Sequence, residues 1–164
     1  MTTIPFFGLI YRKGYDNKAI GLISHLFTTE PIRSEVIPFD LTDYYEPEMG
    51  KGLLRVWCAC REPFPPDKIV ELKHKATGIE KELAQEGKRM VNIDPGYVDM
   101  KRVVLATHKD AAHRIYLKDG IYAEVTLIYH KKSFQPLPWT YPDYRFDAAI
   151  QFFNSLRRHV SHFR

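Results

Sequence analysis

Apolar positions along the chain switch between two periods. Residues 4–12, IPFFGLIYR, are almost continuously apolar and rich in β-branched and aromatic side chains, which predicts a buried strand. After Asp16 the period lengthens. Ala19, Ile20, Ile23, Leu26 and Phe27 share one stripe, predicting a helix that Asp16 caps. Pro31 marks its exit, and residues 33–39 read as a second strand. Residues 40–50 are polar, acidic and too irregular for an element. Residues 53–61 alternate, with Leu54, Val56, Cys58 and Cys60 on one face and Arg55, Trp57 and Arg61 on the other. Pro65 and Pro66 open the longest helix, with Asp67 in its first turn and Gly87 placed to end it. Its apolar stripe is Ile69, Leu72, Ala76, Ile79 and Leu83, with Glu71 and Lys75 four apart on the exposed side. Strands are predicted at 89–93 and 102–107, then a hairpin, a Pro-rich passage and a last helix. That helix buries Phe146, Ala149, Ile150, Phe153, Leu156 and Val160, and sets Arg157, Arg158 and His159 at the negative end of its dipole.

The first six elements run strand, helix, strand, strand, helix, strand. That order predicts an α+β fold with a split βαβ (ferredoxin-like) core, extended by an antiparallel hairpin and a C-terminal helix. No repeat, low-complexity tract or Gly/Ser linker divides the 164 residues, so the expectation is one domain over 1–164.

The hairpin HRIYLKDGIYAEVTLIYHK, residues 113–131, carries a register argument. Asp119-Gly120 invites a two-residue turn, but that pairing mixes polar and apolar residues on each face. A three-residue loop over 118–120 separates them. Leu117 then faces Ile121, Ile115 faces Ala123 and His113 faces Val125; on the other side Tyr116 faces Tyr122 and Arg114 faces Glu124. The expectation is a cross-strand Arg114–Glu124 pair, which becomes a polar pocket floor if a helix or loop covers that face.

Charge changes the picture modestly. The formal net charge is +4, with residues 1–82 holding 11 Lys and Arg against 12 Asp and Glu and residues 83–164 holding 13 against 8. Such asymmetry suits an anionic partner for the C-terminal half, or a plain scatter of surface charge. The two cysteines form no disulfide framework, which points to a reducing, cytoplasmic setting, and as strand neighbours they read as buried and inert. Neither a signal peptide nor an apolar run near the ~20 residues of a bilayer span is expected, so no membrane association is predicted.

Four motifs carry a resemblance: FDLTDYYEPEMG at 39–50, GKRMVNIDPGYVD at 87–99, LATHKDAAHRIYLKDGIYAEVTLIYHK at 105–131 and PLPWTYPDYR at 136–145. Through them essentially the whole chain resembles a bacterial and archaeal family, the domain of unknown function DUF4416. One departure is Gly78, where members tend to carry Asn after the Thr matching Thr77. The resemblance implies no established activity. Some members bear a nucleotide-binding label, yet this chain lacks a Gly-rich loop ending in Gly-Lys-Ser/Thr, and MGKG at 49–52 is too short to be one.

The same stretches supply the candidate chemistry. Asp40, Asp43, Glu46 and Glu48 follow a strand end, where carboxylates bind a hard cation or act as acid and base; a solvated loop is the plainer reading. Asn92-Ile93-Asp94-Pro95-Gly96-Tyr97 has the signature of a type II turn. Lys109, His113 and Arg114 suit a phosphate or carboxylate, although His113 also shares an apolar face with Ile115 and Leu117. Trp139 to Arg145 reads as an aromatic lid, or as a crossover in which Asp143 caps the last helix. No Ser-His-Asp or zinc-ligand spacing is present. The leading expectation is a site for a small anionic or phosphorylated ligand. Lys109, His113 and Arg114 hold the anion; Asp43, Asp94 and Glu124 serve as catalytic acid/base groups or hold a divalent metal; Tyr116, Tyr122 and Trp139 line the site. The rivals are a nucleic-acid-binding module on the basic half and a protein-interaction module.

Overall fold

A computed structural model describes residues 1–163. Nine strands form one sheet: β1 (Ile4–Tyr11), β2 (Ile32–Arg33), β3 (Ile37–Pro38), β4 (Leu54–Ala59), β5 (Val91–Val98), β6 (Arg102–Thr107), β7 (Ile115–Lys118), β8 (Ile121–His130) and β9 (Ser133–Pro136). The helices are α1 (Asp16–Ser24), α2 (Glu46–Met49), α3 (Ile69–Leu83) and α4 (Asp147–Ser161). Strand order is β2-β4-β1-β5-β6-β8-β7, with β3 also on β4 and β9 also on β8, and every pairing is antiparallel. The mixed helix-and-sheet class is therefore as expected. Among the described residues no helix is long and apolar enough to cross a membrane.

The all-apolar β1 lies at the centre because both of its faces are covered. Phe7, Leu9 and Tyr11 pack against Ala19, Ile20 and Ile23 of α1 and Leu72, Ala76 and Ile79 of α3. Ile4 and Phe6 face the other way, into Ala149, Phe153, Leu156 and Val160 of α4. The expected stripe of α3 is thus buried, apart from half-exposed Leu83 at its end. Covering on both sides also explains β4. Its Arg55 and Trp57 are as buried as Val56 and Cys58, since α4 and the loop before it close the second face.

Several boundaries differ from expectation. Asp16 is the first helical residue rather than a cap; its carboxylate pairs instead with Arg33 at 3.2 Å. The second strand is two short pieces, β2 and β3, and the acidic stretch contains the short α2. Helix α3 ends at Leu83, so Gly87 serves the turn that follows, with φ +77°. Asp143 does not cap α4, whose first turn follows an extended Phe146 without a side-chain cap.

The largest correction concerns residues 92–97. They form no turn but run through the middle of β5, with Pro95 opposite Phe7 and Gly96 opposite Phe6. Proline is tolerated there because β6 pairs only with Gly96, Tyr97 and Val98. Beyond Pro95 the two strands part. Gly96 is needed where they still touch: a Cβ would collide with the Val104 carbonyl oxygen and stand 2.6 Å from the Phe6 ring.

In the hairpin, Ile115 pairs with Ala123 and Tyr116 with Tyr122, as the register argument required. The loop itself differs. Lys118 pairs with Ile121 across a two-residue turn, Asp119 at φ +55° and Gly120 at φ +74°, and the register shift is taken up between Tyr116 and Lys118. Strand β7 is exposed throughout, so Ile115 and Leu117 are not core residues, and His113 lies outside the paired strand.

Candidate functional site

Where β5 and β6 separate, the sheet opens into a cavity of about 580 Å³. Asn92 and Asp94 line it from β5, and Leu105, Ala106 and Thr107 from β6. Through the gap it also reaches α3 on the far face, whose Lys73, Thr77 and Glu80 contribute to the wall. Phe39, Thr42, Tyr44 and Tyr45 cover one side, and Tyr141 to Tyr144 another.

The lining is densely ionic. Arg55, Lys73, Arg89, Lys109 and Arg114 supply positive charge, while Glu80, Asp94, Glu124 and Asp143 supply carboxylates. Nearly all are committed to one another. Arg55 Nε lies 2.8 Å from Asp143 Oδ2, with both residues buried. Burial opposes the charge on Arg55, yet Asp143 keeps its pKa raised. Lys73 Nζ is 3.7 Å from Asp94 Oδ1, and Asn92 donates to Asp94 Oδ2 at 2.9 Å, so the Asp94 carboxylate is held on both oxygens. Arg89 in turn donates to Asn92 at 2.7 Å and to Glu48 at 2.9 Å, and stands 3.6 Å from Glu80. Burial raises the Glu80 pKa, against the opposing pull of the Ile93 N–H donated at 2.7 Å.

Glu124 is 1 % exposed and accepts from three sides. Arg114 Nε donates at 3.1 Å, Thr126 Oγ1 at 2.9 Å, and His113 Nε2 lies 2.7 Å away. The expected Arg114–Glu124 pair is present, and that face is covered around the pair but open at Tyr116. Arg114 also reaches the Lys109 carbonyl at 2.8 Å and Tyr141 Oη at 3.0 Å, which ties the hairpin to both loops. Burial opposes the Arg114 charge, but Tyr141 and Glu124 leave its pKa raised. Lys109 differs from all of these. Among the described residues it is the one cation of the cavity with no carboxylate partner; it rests over the Tyr44 ring at 4.5 Å. Neighbouring His108 is held below its ordinary pKa of 6.5 by burial first and Lys73 next.

Of the residues picked from sequence, Asp94, Glu124, Lys109 and Arg114 meet in this cavity. His113 stands behind it, bonded to Glu124 and stacked on Trp139 with ring centroids 4.9 Å apart. Trp139 is a brace for the hairpin, donating to the Val125 carbonyl at 2.7 Å. Tyr116 and Tyr122 pack edge to face on the hairpin, away from the cavity. Asp43 lines a separate shallow depression with Asp40 and Glu46. Among the described residues no three His, Cys, Asp or Glu side chains gather in a way that could hold a metal. Both cysteines are buried, and burial pushes the Cys60 thiol up to about 12 and Cys58 higher still, so neither is a ready thiolate.

Reasoning from sequence missed Arg55, Arg89 and the α3 residues. Lys73, Thr77 and Glu80 did leave a signal, polar positions four and three apart beside the apolar stripe. Arg55 left none, because an arginine in an alternating strand reads as solvent-facing until a second layer is known.

Comparison with known proteins agrees with the motifs. The model of the family described as Domain of unknown function (DUF4416) matches residues 4–159, and the chain belongs to that family. No curated protein and no solved structure matches the chain.

Proposed function

We propose that this member of the family binds a small anionic molecule, phosphorylated or carboxylate-bearing, in the cavity between β5 and β6. Lys109 and Arg114 take the anion, and Asp94 is the acid/base group beside it. The observation that carries this reading is Lys109: every other cation of the cavity faces a carboxylate, so an incoming anion completes the one open pair. Glu124 acts as a positioning residue, since its three donors engage it and aim Arg114. The same reading takes β1-α1-β2-β4-α3-β5 as a ferredoxin-like unit. The strand order β2-β4-β1-β5 supports it, as does the packing of α1 and α3 on one face.

Thermal unfolding in inorganic phosphate, against chloride at equal ionic strength, tests the anion site. A bound anion stabilises by about 2.7 kcal/mol at a hundred times its Kd. Phosphate is expected to raise Tm saturably in the wild type and to lose most of that effect in Lys109→Gln. Equal shifts in the two proteins, or none in either, would refute the reading.

A further inference from the structure

Behind its inner wall the cavity backs onto buried polar atoms that have no partner among the described residues. Arg55 Nη1, Trp57 Nε1 and Tyr144 Oη are all sealed from solvent without a hydrogen-bond partner. Arg55 is 2 % exposed, Trp57 0 % and Tyr144 1 %, and both Arg55 and Tyr144 line the cavity. The three converge over one backbone position. A Cβ on Gly8 would stand 2.8 Å from Tyr144 Oη, 3.2 Å from Trp57 Nε1 and 3.3 Å from Arg55 Nη1. The indole N–H lies close enough to the phenol oxygen to act on it weakly, lowering its pKa as the least of several influences, but the pair falls outside ordinary hydrogen-bond geometry. Buried polar atoms are nearly always paired, so three orphans at one spot mark a missing partner.

The chemistry of that partner follows from the donors. An indole and a guanidinium can only donate. The Tyr144 phenol stays protonated, because burial, the largest influence on it, raises its pKa against the lowering by Arg55. What is missing is therefore an acceptor. It is also neutral, since Arg55 already has its counter-charge in Asp143 at 2.8 Å and a second buried anion would be left unbalanced. A hydroxyl would bring a proton needing its own acceptor, whereas a carbonyl oxygen brings two lone pairs and no proton.

We propose that the inner end of the cavity is a subsite for a neutral carbonyl oxygen of the amide or cyclic-urea kind. Arg55 and Tyr144 hold it, with Trp57 alongside. Resting on the anion reading, the ligand is then bipolar, anionic at Lys109 and carbonyl-bearing at the buried end.

Two-dimensional ¹⁵N NMR reads this end of the cavity directly, because the chain has only 2 tryptophans and Trp139→Phe assigns both indole N–H signals. The probes are 2-pyrrolidinone, a neutral cyclic amide, and inorganic phosphate. 2-Pyrrolidinone is expected to move the Trp57 indole signal saturably, and phosphate to leave it in place. Tyr144→Phe is expected to weaken 2-pyrrolidinone binding about tenfold, one hydrogen bond's worth in a buried site, without lowering the Tm of the free protein. An equal displacement by phosphate, an unsaturable shift, or no shift with either probe overturns the subsite. So does a lower Tm for free Tyr144→Phe, which would mean that ordered water already pairs the phenol. The anion reading fails by a different result, the loss of Lys109-dependent stabilisation by phosphate.

Discussion

At position 96 a single methyl group would meet the Val104 backbone and the Phe6 ring, neither of which is free to move. Gly96→Ala is expected to cost about 3 kcal/mol in urea unfolding, the upper part of the usual range for overpacking. Gly8→Ala meets only side-chain ends and is expected to cost about 1 kcal/mol in the same measurement. Neither demand is visible in the sequence, where Asp94-Pro95-Gly96 has the grammar of a turn. Strand pairing overrode local preference because Pro95 falls where β6 has already left. Arg55 is a second case in which a residue's surroundings, and not its type, decide its role. Removing the guanidinium by Arg55→Met strands Asp143 in the interior, with an expected loss of about 3–5 kcal/mol. Arg55→Met/Asp143→Leu together should recover most of it, since an apolar pair of similar volume needs no desolvation of charge.

Among the elements, α2 is too short to persist on its own and is pinned from outside. Glu48 takes the Arg89 side chain at 2.9 Å and the Arg89 backbone N–H at 3.0 Å. These bonds hold the Glu48 carboxyl below its ordinary value of 4.5. The folded protein thus binds that proton less readily than the unfolded chain. The stability it contributes is present above pH 4.5 and is lost as pH falls through the lower folded value. Glu48→Gln is accordingly expected to flatten the acid limb of a stability-versus-pH curve while moving the neutral plateau by under about 1 kcal/mol, the pair being one-third exposed. The hairpin shows how far element-scale reasoning reached. Alternation correctly placed Tyr116 against Tyr122 and joined Arg114 to Glu124. It then chose the wrong loop, because it admitted no irregularity within β7. The Asp119-Gly120 turn signal was sound, and a shift before Lys118 reconciles it with the pattern.

Over the whole molecule, the cavity exists because one sheet is buried on both faces and torn along part of one seam. The periodic helices and the burial of β1 were legible in the spacing of apolar residues, and the antiparallel class in the order of the elements. The seam was not, since it depends on the β5–β6 pairing ending at Gly96, a long-range event with no local mark. The acidic loop after β3 and the cationic loop after β6 both reach this site. The 39–45 segment, however, brings its tyrosines and turns Asp43 to the other side. What remains at the mouth is a lysine lacking a carboxylate. The most direct measurement of whether that lysine marks an anion site is anomalous diffraction from crystals of the wild type and of Lys109→Gln grown with selenate, a heavy tetrahedral dianion. The account expects a selenium peak inside the cavity, within hydrogen-bonding reach of Lys109 and Arg114, that disappears in the variant. An empty cavity beside occupied surface sites, or a peak that survives the substitution, would contradict it.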